Sequence, residues 1–250
     1  MGKIVNQAGV IFSSITSPTL LAFSMGGVGF MAMGIAIAVG VWMSIRIGIG
    51  QEIRKTPSFT WWVINRLAFL VGATNLASFT IYFLQARLGY LRETAAGPAA
   101  LLTMFVGVFI LISALPSGWL ADRFGHKRLV IASGVIAASG TLIAILVPSL
   151  PVIYAGGCII GAGIGLFYTA NWALGTEIVP KNQAGRFLGL SNLAGAGAGA
   201  VGAYIGGPIA DYMTRAVPDF PGLGYLTLFA IYGTLFLFSV LPMLGVKETN

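Results

Sequence analysis

The stretch GWLADRFGHK, residues 118–127, concentrates charge in a chain that otherwise carries little of it. Only 8% of the residues are charged, yet ionisable side chains crowd residues 122–128: Asp122, Arg123, His126, Lys127 and Arg128. The glycines at 118 and 125 permit a tight turn and a close approach of backbones. Long apolar runs flank the stretch on both sides, which indicates a charged loop between two apolar helices.

The composition predicts that lipid surrounds most of the chain. Hydrophobic residues make up 57% of the sequence, and the mean hydropathy is +0.90. A helix that crosses a bilayer needs about 20 mostly apolar residues. Seven segments meet this requirement: 19–42, 60–84, 98–118, 129–148, 152–174, 187–210 and 224–244. The sequence therefore predicts an all-α, polytopic membrane protein with about seven transmembrane helices.

The positive charges of the loops predict the orientation in the membrane. One side carries Arg46, Arg54, Lys55, Arg123, Lys127, Arg128, Lys181, Arg186 and Lys247, and the opposite side carries Lys3, Arg87, Arg92 and Arg215. The side richer in Lys and Arg faces the cytoplasm, so the 118–128 loop and the C-terminus are expected on the cytoplasmic side of the plasma membrane. Because the net charge of +7 is spread thinly between apolar runs, no nucleic-acid partner is predicted.

The reactive side chains argue against an enzyme. The single cysteine, Cys158, lies in an apolar run and cannot form an intramolecular disulfide. No predicted span contains a lysine for a retinal Schiff base, and one loop histidine cannot supply a catalytic set. No catalytic residue, metal site or cofactor is predicted.

The charged stretch resembles a known motif. Read residue by residue, residues 118–127 resemble the G-x-L-a-D-r-x-G-r-k motif of the major facilitator superfamily, which joins the second and third helices of each six-helix half. Here the stretch joins the second and third spans counted from 60–84. The loop with Glu177, Pro180, Gly185 and Gly189 is similar to the loop that joins the fourth and fifth helices of a half in that family.

The resemblance implies a division of the chain into a half and its neighbours. Residues 60–246 would form a C-terminal six-helix bundle, and 19–42 the last helix of the preceding half. Residues 1–18 would be a loop or the tail of an earlier helix, 43–59 a cytoplasmic linker between halves, and 247–250 a cytoplasmic tail. The expected partners are the lipid bilayer, a small solute, and either an N-terminal half or a second copy of the chain.

Two positions depart from the family pattern. His126 stands where the motif usually has Arg, which weakens the charge pairing expected there. The residues around Asn171-Trp172-Ala173-Leu174 resemble the sugar-transporter-like branch of the superfamily, in which an Asp often precedes Trp-Ala-Leu. Because Asn replaces it and no predicted span contains Asp or Glu, this half shows no proton carrier.

The charged loop is predicted to act as a gate. Asp122 could accept hydrogen bonds from a neighbouring helix N-terminus, and Arg123 or Arg128 could pair with Glu177. The predicted gating residues are Gly118, Asp122, Arg123, Gly125, Lys127, Arg128, Glu177 and Arg186. The alternative is a solvated loop whose charges only set the topology.

Polar side chains within two spans form the candidate substrate site. Asn75, Ser78 and Tyr82 recur at intervals of three or four residues, which places them on one helix face. Tyr168, Asn171 and Trp172 lie on the span 152–174. In the resembling family the first and fourth helices of a half, here 60–84 and 152–174, line the central cavity. The alternative for each residue is hydrogen bonding between packed helices. Arg66 is expected to extend to the cytoplasmic interface, with anion binding as the minor alternative.

The sequence thus favours a secondary active transporter, or its C-terminal half, that moves a small polar solute by alternating access. The resemblance favours a sugar or a related metabolite. The alternative is a truncated, non-transporting membrane subunit with an assembly or regulatory role.

Overall fold

The computed structural model describes residues 26–27, 29–43, 46, 50, 56–220 and 222–247, and these contain helices and no β-strand. The helices are α1 (Gly29–Met43), α2 (Pro57–Ser78), α3 (Thr80–Leu88), α4 (Arg92–Phe124), α5 (His126–Leu146), α6 (Leu150–Ile178), α7 (Ala184–Ala216) and α8 (Leu223–Val240). Two short 3₁₀ helices, Lys181–Gln183 and Leu241–Gly245, precede α7 and follow α8. The all-α prediction is confirmed.

The predicted span 60–84 is not one straight helix. The chain bends by 61° between α2 and α3, and the two helices together, called the broken span below, are long and apolar enough to cross a membrane. Ser78 Oγ donates to the carbonyl of Thr74 at 2.9 Å, and Thr80 Oγ1 donates to that of Leu76 at 2.8 Å. Hydroxyls that bond back four residues compete with the backbone ladder and bend helices. Within the described residues, five helices are long and apolar enough to cross a membrane, or six with this broken span.

Helix α4 extends further than the predicted 98–118. It runs through Pro98 and Pro116 and ends at Phe124, and the φ of +93° at the following Gly125 favours glycine. The predicted tight turn at Gly125 is therefore confirmed. The predicted close approach at Gly118 is not found, because a Cβ at Gly118 would meet nothing within 4 Å.

Helix α6 is the central helix of one group, in which it packs against α4 and α5. The broken span packs mainly against α7 and α8, and α8 also contacts α5, which joins the two groups. On α6, Gly161 lies against the carbonyl of Val106 in α4, and Gly156 lies against the carbonyl of Gly140 in α5. Small residues let helix backbones approach closely, which is how helices associate in lipid.

One end of the bundle gathers the charged loop, the start of α2 and the C-terminal segment. Lys127 Nζ donates to the carbonyl of Val246 at 2.7 Å, and the backbone N–H of Lys247 donates to Ser58 Oγ at 3.1 Å. The loop and the end of α8 therefore lie at the same end of the bundle. Its placement in the cytoplasm stays a prediction. The predicted segment 1–18 and the start of 19–42 lie outside the described residues, as does most of the linker 43–59.

Candidate solute-binding and gating sites

Buried polar side chains of α2 and α6 form a chain of hydrogen bonds that ends on α8. Arg66 Nη1 donates to Asn171 Oδ1 at 2.8 Å. Asn171 Nδ2 donates to Asn65 Oδ1 at 2.9 Å. Asn65 Nδ2 donates to the backbone carbonyl of Ser239 at 2.7 Å. This chain, called the Arg66–Ser239 network below, connects three helices in the half of the bundle nearest the charged loop.

The two ends of the Arg66–Ser239 network fix its direction. A backbone carbonyl only accepts, so Asn65 must present its NH₂ group to Ser239 and its oxygen to Asn171. A guanidinium only donates, so Asn171 must present its oxygen to Arg66 and its NH₂ group to Asn65. Both constraints give the same orientation of the two amides. An Asp at 171 would lack the donor that Asn65 requires.

Two tryptophans enclose the guanidinium of Arg66. Its Cζ lies 5.7 Å from the ring centroid of Trp62 and 5.3 Å from that of Trp172, both within cation–π range. Trp62 Nε1 also donates to the carbonyl of Asn171 at 2.9 Å. Gly175 makes room for the Trp62 ring, because a Cβ there would overlap it.

The predicted extension of Arg66 to the membrane interface is wrong. Only 8% of the residue is exposed, and its Nε is buried without an acceptor among the described residues. Its partners are on α6, 105 positions away in the sequence, so periodicity within one span could not reveal them. The available signal was an intramembrane Arg four residues after Trp62, since ionisable residues inside spans tend to face the protein interior.

The predicted substrate residues divide into exposed and buried ones. Ser78, Tyr82, Tyr168 and Trp172 are exposed, whereas Asn75 and Asn171 are fully buried. Asn75 Nδ2 donates to the carbonyls of Val71 at 2.9 Å and of Ala198 in α7 at 3.3 Å. Both asparagines therefore make hydrogen bonds between packed helices, and their contact with a solute stays a prediction.

The predicted residues also lie at two depths. Twelve residues separate Arg66 from Ser78, which is about 18 Å along a helix at 1.5 Å per residue. Asn171 is bonded to Arg66, whereas Tyr82 stacks on Tyr225 with ring centroids 5.3 Å apart beyond the bend. One small solute cannot contact both groups at once in this conformation.

The charged loop does not form the predicted ion pair between Arg123 and Glu177; His126 contacts Glu177 instead. His126 Nδ1 lies 2.9 Å from Glu177 Oε1, whereas Arg123 stacks over Trp119 with its Cζ 5.4 Å from the ring. The turn at Gly125 places His126 at the start of α5, beside the end of α6. Arg123 stays on the last turn of α4, where Trp119 is its neighbour four residues back. The departure from the motif at His126 therefore supplies the partner of Glu177.

The other predicted gating residues are mostly at the surface of this end. Asp122 is exposed and makes no hydrogen bond to the described residues, so its predicted contact with a helix N-terminus is not found among them. Arg128 and Arg186 are exposed, the latter in the first turn of α7. Among the described residues, no group of three His, Cys, Asp or Glu side chains could hold a metal ion.

Comparison with protein families decides the class of the molecule. The family model of the Major Facilitator Superfamily matches residues 68–249, from the middle of α2 past the end of α8. The chain belongs to this superfamily. The expectation drawn from residues 118–127 is confirmed.

Similar proteins place the chain near the sugar and inositol transporters of the superfamily. It is 32% identical over 146 residues to Myo-inositol transporter 2 of Schizosaccharomyces pombe, which covers 56% of the chain and 26% of that protein. It is 34% identical over 90 residues to Minor myo-inositol transporter IolF of Bacillus subtilis, covering 36% and 20%. The human solute carrier family 2, facilitated glucose transporter member 12 is 33% identical over 83 residues, covering 33% and 14%. The chain therefore matches about a quarter or less of each relative's length.

Proposed function

We propose that this chain is the C-terminal half of a secondary transporter that moves a small polar solute, a sugar or a cyclic polyol, by alternating access. The family match and the inositol and glucose transporters among its relatives support this proposal. The observation that carries it is on α6. Tyr168 and Trp172 remain exposed, one turn apart, directly beside the buried Arg66–Ser239 network.

The exposed side chains differ from helix to helix in a way that supports a solute cavity. Helix α4 exposes large apolar residues such as Leu101, Leu111 and Leu115, which suit contact with lipid tails. The broken span and α6 expose Ser78, Tyr82, Tyr168 and Trp172. Because unsatisfied polar groups cost several kcal/mol each in hydrocarbon, we propose that these side chains face a second six-helix bundle across a cavity. That bundle is an N-terminal half or a second copy of the chain.

The charged loop is proposed to hold the cytoplasmic end of the half together while the two bundles rock. The His126–Glu177 pair joins α5 to α6, and the Lys127 bond to Val246 joins α5 to the segment after α8. Both contacts lie within one half, so this half can move as a unit. Asp122, Arg123, Arg128 and Arg186 are exposed at the same end, where we propose that the opposite bundle approaches.

The proposed orientation has a direct test by cysteine labelling in intact cells. Ser117 is buried and unsuitable for labelling, whereas Phe124 at the charged loop is 50% exposed and Leu91, at the other end of α4, is 71% exposed. In a Cys158→Ala background, Leu91→Cys is expected to react with an impermeant thiol reagent and Phe124→Cys to be protected. Labelling of Phe124→Cys from outside would reverse the orientation.

The proposed solute site is tested by protection of a cysteine on α6. In the same background, myo-inositol or glucose is expected to slow the alkylation of Trp172→Cys in the assembled transporter. Leu111→Cys, which is 68% exposed on the apolar surface of α4, is the matched control and should react at the same rate with or without solute. Equal rates at position 172 across a panel of sugars and polyols would contradict the proposed substrate class.

A further inference from the structure

Arg66 carries a buried positive charge without a counter-charge among the described residues. It is 8% exposed, and no carboxylate of those residues lies within ion-pair distance. A cation inside a membrane span is costly, and such residues usually pair with an acid or serve a pathway for ions or substrates. The buried cation therefore requires either a partner or a ligand.

The contacts of Arg66 do not neutralise it. Nη1 bonds to Asn171, a neutral amide, and Nε is buried with no acceptor among the described residues. Trp62 and Trp172 offer only the faces of their rings. Because the direction of the Arg66–Ser239 network is fixed at both ends, Asn171 cannot be reoriented to supply more. The full charge and part of the hydrogen-bonding capacity of the guanidinium remain available.

The charge lies beside the face that we assign to the solute. Trp172, which stacks on the guanidinium, is 38% exposed, and Tyr168, one turn before it on α6, is 45% exposed. The Trp172 ring therefore contacts the guanidinium and is also part of the exposed side of α6. A solute that packs the apolar face of a sugar ring on these aromatics would have its polar substituents within reach of Arg66.

We infer that Arg66 binds a carboxylate of the transported solute, so that the preferred substrates are acidic sugars of the uronate class. The guanidinium presents planar, paired donors that match a carboxylate in geometry, and its single positive charge balances a single negative one. Asn171 holds the guanidinium in place without neutralising it, whereas an aspartate at that position would neutralise the charge. This inference rests on the proposed function and adds the charge of the substrate to it.

The test compares two sugars that differ only at one carbon. D-glucuronate carries a carboxylate where D-glucose carries a hydroxymethyl group. The measurement is equilibrium binding to the full transporter in detergent. The Kd of glucuronate is expected to be lower than that of glucose by a factor of about ten or more, which corresponds to one additional hydrogen bond between charged groups. Asn171→Asp should abolish this preference, because the new carboxylate pairs with Arg66 at the position of Asn171 Oδ1.

The matched control for Asn171→Asp is Asn192→Asp, the same substitution at an exposed site on α7, which should keep the preference. Arg66→Gln should also lose the preference. This variant removes one end of the Arg66–Ser239 network and could therefore fail to fold. Asn171→Asp, which is nearly isosteric, then carries the test. Glu52→Gln and Glu248→Gln, at acids outside the described residues, should change nothing.

Each other outcome contradicts a stated part of the account. Binding of glucose or myo-inositol without a preference for glucuronate would overturn the inference and leave the proposed function standing. A tighter binding of glucuronate by Glu52→Gln or Glu248→Gln would show that an acid of this chain already neutralises Arg66, which also overturns it. If Asn171→Asp kept the preference for glucuronate, Arg66 would not be the residue that binds the carboxylate. Binding of no sugar or polyol at all would overturn the proposed function itself.

Discussion

The two ends of α6 are held in the bundle by different interactions. Towards its start, Gly156 and Gly161 bring its backbone against the carbonyls of α5 and α4, so the contact depends on shape alone. Towards its end, Asn171 is held by hydrogen bonds that are directed and that include a charged donor. Closely packed backbones fit together in one arrangement, whereas a cation such as Arg66 can exchange one hydrogen-bond acceptor for another. We therefore expect the first end to be rigid and the second to respond to a ligand.

The largest expected effect is at the glycine contact. A side chain at Gly161 would meet the backbone carbonyl of Val106, which cannot move without separating α4 from α6. Gly161→Leu is expected to destabilise the protein by about 3 kcal/mol or more, the upper end of overpacking costs. The measurement is the denaturation midpoint in detergent, together with size-exclusion chromatography.

The control for this contact is Gly107→Leu on α4, where an added Cβ would meet nothing within 4 Å. It should leave the midpoint nearly unchanged. If both variants lowered the midpoint equally, the cost would come from placing leucine in a helix. The claim that close packing holds the start of α6 would then be contradicted.

The next effect in size is at the polar end. Asn171→Leu removes the acceptor of Arg66 and the donor to Asn65 without changing the packing of the backbone. We expect a loss of about 2 kcal/mol, because bonds to charged groups contribute about 1.5–3 kcal/mol in proteins and interhelical bonds in membranes are weaker. Denaturation midpoints measure it, with Asn192→Leu at an exposed position as the control. A loss larger than that of Gly161→Leu would reverse the comparison.

The smallest effect is expected at the charged loop. The His126–Glu177 pair is partly solvated, with 19% and 39% of the two side chains exposed. A double-mutant cycle with His126→Gln and Glu177→Gln should give a coupling energy of about 1 kcal/mol or less. A coupling well above that value would contradict the ranking, because the pair would then stabilise the bundle as much as the buried contacts do.

The features that could be predicted from the sequence are those recorded within single segments. Apolar length identified the spans, and the residues around Gly118 and Gly125 identified the family. The burial of Arg66 could not be predicted, because its partner Asn171 is 105 positions away and the contact exists only after α2 and α6 pack. Glu177 contacts His126 and not Arg123 because of the turn at Gly125, and the sequence motif alone does not give the direction of that turn.

The bend after Ser78 shows an intermediate case. The hydroxyl groups next to the bend are visible in the sequence, but a run of apolar residues through Leu84 favours one continuous span. Ser78 and Thr80 bond to the carbonyl four residues back, as Thr103 and Thr141 do in helices that stay continuous, so this signal does not by itself locate a bend. Periodicity alone therefore placed Ser78 and Tyr82 on one straight face, which the structure divides.

The central claim, that this chain supplies one wall of a solute cavity, is tested most directly by reconstitution. Liposomes that contain the 250-residue chain as a monomer are expected to show no myo-inositol or glucuronate uptake above empty liposomes. The chain assembled with a complementary six-helix half, or with a second copy, is expected to show saturable uptake, because the exposed side chains of α6 then line a closed cavity. Saturable uptake by a demonstrated monomer would contradict the account and would require a pathway inside the single bundle.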